Sequence, residues 1–371
     1  MPLTKSAARQ PNSLAPATVT PRVPEIDALR FFAASAVVVY TFTYRPPPLH
    51  GIENPDAFAP LQAVTRFGYL GVHLFLMISG FVILRSSQER SAGEFAIARF
   101  ARLFPSFWVC ALLTTLVVNL WGIEPPISLR TLALNFTMVP SLFGADYVDG
   151  GYWTLLIVLK FYLLVYLVLL SGTMRFVEAW LGLWLACSVA AALQLVPHWL
   201  ASIAIYPFGP YLISGCLCFL VRSRGMTAFR AVGLVIACAL AARHVVEQQP
   251  GFMHQVTPVS SVVVASAVVA FHAMFVTIAL VPDILRGSKW WYILGSLAYP
   301  LYLLHNAIGK NLWGRLPDAV PPAAGYVILF ATVYAMASVV AAATERRACP
   351  QFRRLLQRFA ARFKGLRSSP A

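Results

Sequence analysis

Three arginines stand where hydrophobic segments begin. Arg30 opens the apolar run ALRFFAASAVVVY, and Arg99 and Arg102 precede a second run in IARFARLFPSFWV. A guanidinium at a lipid boundary is costly unless it has a partner or a task. Its planar fork grips anions in bidentate fashion, so the three could build an anion site; the alternative is snorkelling topology anchors. Two histidines, His73 and His305, fall inside other apolar runs. Imidazole accepts protons near neutral pH, and either residue could serve as a base or as a satisfied packing residue. Lys160 is a lone cation in mid-span. It must turn toward bundle interior or a phosphate, since a lipid-facing lysine there costs about 2.5 to 3.5 kcal/mol.

The elements that would position these groups are membrane helices. With 59% hydrophobic residues, 12% charged residues and a mean hydropathy of +0.70 over 371 residues, the chain is a polytopic membrane protein. Apolar runs of span length fall near 28–44, 67–85, 104–121, 152–171, 177–196, 203–221, 229–245, 258–281, 291–313 and 323–344. An all-α bundle of about ten spans follows, with both termini on one side. With Arg85, Arg230, Arg243 and Lys310, near span ends, counted in the adjoining loops, 21 of the 29 Lys and Arg fall on the side of the N-terminus and 6 on the other, and Arg30 and Lys160 remain within spans. The excess marks the cytoplasmic side, so both termini and the three arginines are expected there.

Residues 1–24 read as a disordered polar lead without the apolar core of a signal peptide. The spans occupy 25–345. The tail, 346–371, is basic, and Phe352, Leu355, Leu356, Phe359 and Phe363 recur at helical spacing, as in an amphipathic helix on the inner leaflet. A net charge of +15 suits anionic lipid and anionic ligands, and nucleic acid is a poor fit. The six cysteines suggest neither a disulfide framework nor a metal site, and no metal is expected.

Helical rise assigns depths. Thr41 and His305 each lie roughly 20 Å from the cytoplasmic edge. His73 lies roughly 9 Å from the outer edge of a core about 30 Å thick, which is the same layer, and Val158 falls there too. A cytoplasmic anion site would feed a reaction or binding layer in the outer half.

Five strings, IDALRFFAASAVVVYTFTY (26–44), GYLGVHLFLMISGFVIL (68–84), ARFARLFPSFWV (98–109), GYWTLLIVLKFYLLV (151–165) and LGSLAYPLYLLHNAI (294–308), resemble in order and spacing the acyltransferase-3 family of integral membrane acyltransferases. The resemblance implies transfer of an acyl group, often acetyl, from cytoplasmic acyl-CoA to a hydroxyl of a surface glycan or lipid-linked sugar. It also implies a bacterial-type plasma membrane, acyl-CoA as co-substrate with no resident cofactor, and glycan-assembly proteins as possible partners. Arg30, Arg99 and Arg102 match its donor arginines, Ser79 its Ser-Gly-Phe, Trp153 its span-4 aromatic start, and Tyr302 and His305 its span-9 pattern.

Two positions depart from the family. Thr41 stands where it carries histidine, and Val158 where it carries glutamate. Their equal depth suggests that the two replaced groups would face each other. Either His73 or His305 then substitutes as the base, or the chain is a silent member that binds acyl-CoA or a glycan-assembly partner. A transporter is the third reading, supported by the span count and Lys160.

Overall fold

The computed structural model describes residues 23–44, 59–252, 260–285, 289–317 and 319–367. The polar lead falls almost wholly outside these residues. Ten long helices follow the predicted spans in order: α1 (Pro24–Thr43), α2 (Gly71–Ser87), α3 (Ala92–Trp121), α4 (Trp153–Leu170), α5 (Val177–Ala192), α6 (Gly209–Arg224), α7 (Ala228–Phe252), α8 (Ser261–Leu280), α9 (Lys289–Trp313) and α10 (Pro322–Ala343). A further helix, α11 (Cys349–Arg367), closes the chain, and no strand occurs among the described residues.

Eight helical stretches of the described residues are long and apolar enough to cross a membrane. The two helices outside that count, α6 and α9, are sheathed by protein, α9 mainly from Ala298 onward. The 16-residue α6 is buried continuously from Gly209 to Val221, and α9 buries His305 and Asn311 beside its apolar residues. A helix shielded from lipid need be neither long nor wholly apolar.

Close backbone contact fixes the helix pairs. A Cβ on Gly80 would stand 2.0 Å from the Leu212 carbonyl oxygen, and one on Gly215 would stand 1.9 Å from that of Met77, so α2 and α6 touch backbone to backbone. Small residues permit such approach inside membranes. Along α1 and α9, Gly295 lies against Asp27 and Gly309 against Phe42, a matched progression that makes the two helices parallel. Arg30 and Thr41 therefore run beside the α9 segment that ends in His305.

The 30-residue α3 starts in a capping box between Ser91 and Glu94. At 1.5 Å per residue it spans about 45 Å, longer than a bilayer core of about 30 Å, which leaves its first turns at the boundary with Arg99 and Arg102 on them. The π-helical turn Thr344–Ala348 redirects the chain from α10 into α11. There Ser106 Oγ donates to Thr344 Oγ1 at 2.7 Å, pinning the turn to α3.

Candidate active site

The short turn that precedes α4, Asp149-Gly150-Gly151-Tyr152, inserts against α9. Asp149 is 1% exposed. Its Oδ1 accepts from Gly151 N at 2.7 Å and from Asn306 Nδ2 at 3.1 Å, and its Oδ2 accepts from Ala307 N at 2.7 Å. The Tyr152 hydroxyl donates to the Leu303 carbonyl at 3.2 Å. A Cβ on Gly150 would crowd Asn306 Nδ2 at 3.3 Å, so glycine there lets the turn come this close. His305 is thus bracketed by residues 303, 306 and 307, all fixed by the turn.

His305 is itself oriented. Its Nδ1 lies 2.7 Å from the Tyr302 carbonyl, one turn back, to which it can only donate. The proton therefore sits on Nδ1 and the lone pair on Nε2, which has no protein partner among the described residues. Phe42 and Tyr302 flank the ring, at 6.5 and 5.5 Å between centroids. The Tyr302 hydroxyl in turn bonds the Gly151 carbonyl at 3.0 Å and Thr154 Oγ1 at 3.0 Å. The Asp149 carboxylate, bonded to Asn306 and to the Ala307 N–H, is thereby fixed next to His305 in the chain.

His305 lines a cavity of about 620 Å³. Thr41, Tyr69, Trp153, Tyr302 and Asn306 share the wall, and the Glu124–Lys310 ion pair sits at its rim. The cavity occupies the end of the bundle where α1, α3 and α9 finish.

The arginines gather at the opposite end. Arg30 pairs with Asp27 at 3.1 Å, and Arg102 with Glu345 at 3.1 Å. Arg99 lies between the Phe95 and Tyr162 rings, 5.8 and 5.9 Å from their centroids, and its Nε is buried without an acceptor. All three stand at the end where α1 and α3 begin, with Arg99 set against the Tyr162 ring of α4.

Other residues singled out in the sequence go elsewhere. His73 is not on the cavity wall. Its Nε2 lies 3.0 Å from Gln248 Oε1, and its ring lies 4.9 Å from Tyr211 and 5.8 Å from His244. Val158 is also off the cavity wall, packed among apolar side chains of the α2–α6 core. Thr41 and Val158 therefore do not form the facing pair that equal depth suggests. Depth fixes height along the bundle and leaves the direction around each helix open. Lys160 donates to Ser202 Oγ at 3.0 Å. Ser79 adjoins the Gly80 crossing and lines no part of the cavity. Asp149 carries one local signal in the sequence, the Asp-Gly-Gly turn.

A sequence profile described as an acyltransferase domain matches residues 23–342, nearly the whole bundle. The chain belongs to the acyltransferase-3 family. It is 31% identical over 160 residues to Nodulation protein 10 of Rhizobium leguminosarum bv. viciae, an alignment that covers 37% of this chain and 41% of that protein. The chain thus matches less than half the length of this relative. No solved structure matches it. In this acyltransferase-3 member, cavity and arginine cluster lie at opposite ends of the parallel pair α1 and α9.

Proposed function

We propose that the protein transfers an acyl group, acetyl in the simplest case, from cytoplasmic acyl-CoA to a hydroxyl of a surface carbohydrate or lipid-linked sugar. The observation that carries this reading is His305, with Nδ1 held by the Tyr302 carbonyl and Nε2 bare on the cavity wall. In this scheme the acceptor hydroxyl gives its proton to Nε2 as its oxygen bonds to the thioester carbonyl carbon. The carbon–sulfur bond then breaks, and the departing CoA thiolate takes a proton. A carboxylate near an imidazolium favours the charged form, which is the part assigned to Asp149.

Arg30, Arg99 and Arg102 are the matching donor grip. Guanidinium groups bind phosphate more strongly than neutral donors do, and the Asp27 and Glu345 carboxylates are displaceable partners for two of them. Between Arg30 and Thr41 lies about 16 Å of helix, a gap suited to the extended arm that joins the phosphates of CoA to its thioester. The scheme places the protein in a plasma membrane, with the arginines at the cytoplasmic face and the acceptor entering from outside.

The test is transfer of label from acetyl-CoA to glycan or lipid-linked sugar in membranes that contain the protein. His305→Ala should cut turnover by about 100-fold or more, the usual worth of a general base, with acyl-CoA binding retained. Unchanged turnover would remove His305 as the base. Thr41 and Val158, at the family's histidine and glutamate positions, support a second reading, a silent member that holds the donor. Bound acyl-CoA with no transfer by the wild-type protein would establish it.

A further inference from the structure

A second cavity, of about 200 Å³, opens sideways between α3 and α4. Its wall includes Phe95, Arg99, Phe100, Leu159, Tyr162 and Leu163. Leu163 is 56% exposed and Phe100 38% exposed, so the groove faces the surroundings of the bundle, which around a membrane helix are lipid. It runs from the Arg99 end, where α3 begins and α4 approaches its end, to Phe104 and Leu159.

Two arginines near the Arg99 end lack a carboxylate partner among the described residues. Arg30, Arg102, Arg222, Arg224 and Arg230 each have a carboxylate within 4 Å. Arg90 and Arg99 have none among the described residues, and Arg90 Nη1 and Arg99 Nε are buried donors without an acceptor. The third charge, Arg353, comes from α11, whose Phe352 packs against Phe100 of the groove wall. Burial, Arg99 and Arg353 together hold Arg90 below the ordinary guanidinium value, with Glu94 and Glu89 opposing. Glu94 is engaged by Ser91 in the α3 capping box.

An apolar slot open to the bilayer, with Arg99 in its wall, Arg90 just before α3 and Arg353 beside Phe352 on the helix that packs against Phe100, has the chemistry of a phosphate joined to an aliphatic chain. We propose that the groove binds one anionic phospholipid, its phosphate held by Arg90, Arg99 and Arg353 and one acyl chain entering between α3 and α4. Lipid phosphate supplies the acceptors that the buried N–H groups lack, and anionic headgroups are concentrated at basic juxtamembrane surfaces. The site shares Arg99 with the proposed donor grip and adds Arg90, Arg353 and the groove, so the inference goes beyond that reading, and the acetyl-CoA arm of the test separates the two.

The test uses the full chain in detergent with photoreactive phosphatidylglycerol, the diazirine placed on its acyl chain. Labelled peptides should map to 95–104 and 159–166. Label should fall roughly fivefold or more in an Arg90→Gln, Arg353→Gln double variant, the scale of two lost charge contacts. Leu163→Trp, which fills the slot and leaves every arginine in place, should lose the label while the protein elutes as a single species. Equal labelling by photoreactive phosphatidylcholine would overturn the proposal. So would competition by acetyl-CoA as effective as that of unlabelled phosphatidylglycerol, since the groove would then belong to the donor.

Discussion

Asp149 shows how one buried side chain holds its neighbours on the cavity wall. Replacing it with alanine leaves Gly151 N, Asn306 Nδ2 and Ala307 N without their acceptor. At about 1 to 3 kcal/mol for each buried orphan, Asp149→Ala should lower the thermal unfolding midpoint measurably and abolish transfer. Asp149→Asn keeps an acceptor oxygen and removes the charge, so a smaller stability loss with a large fall in turnover is expected from a paired melting and transfer assay. The two family-position variants should also part company. Thr41→His adds bulk into open cavity and should leave expression unchanged, whereas Val158→Glu buries a carboxylate among apolar side chains and should lower the melting temperature. Depth along a helix was legible from residue counting, which is why Thr41 and His305 meet in one cavity. Asp149 was not legible, because its α9 partners lie 157 and 158 residues away and only the folded chain supplies them.

At the scale of elements, the helices could be read from apolar runs because lipid forces backbone hydrogen bonds to close within each segment. Their neighbours could not be read so directly. The glycines carry that information: Gly80 with Gly215 for α2 on α6, and Gly295 with Gly309 for α1 beside α9. Ser79-Gly80-Phe81 is therefore a packing motif here, with Phe81 fully buried against Phe219. A methyl at Gly309 would meet the Phe42 ring at 2.3 Å, and that ring borders both the cavity and His305. Gly309→Ala should accordingly fold, since the obstacle is a side chain, yet shift Phe42 into the cavity and reduce turnover. Gly80→Ala should fail at an earlier stage, because the obstacle at 2.0 Å is the Leu212 carbonyl oxygen, which cannot swing aside. Fluorescence-detected size exclusion of the two variants checks the contrast.

At the scale of the whole molecule, the C-terminal segment reaches back to the arginine cluster. The turn at Thr344–Ala348 is anchored through Ser106, and it delivers Glu345 to Arg102. Glu345 is 9% exposed at its side chain, and its Oε2 is buried without a donor, so half of this carboxylate is unsatisfied. Arg102 is 45% exposed and can exchange one anion for another. In the proposed reaction Glu345 holds Arg102 until donor phosphate replaces it. An ion pair this exposed is worth about 0.2 to 1 kcal/mol, a factor of roughly 1.5 to 5 in binding. Glu345→Gln should therefore lower the KM for acyl-CoA by up to about fivefold and leave kcat close to wild type, because the cavity at the other end of α1 and α9 is untouched. A structural role for the pair predicts the reverse, a raised KM with lost thermal stability. Initial-rate kinetics over a range of acetyl-CoA concentrations, paired with a melting curve, separate the two.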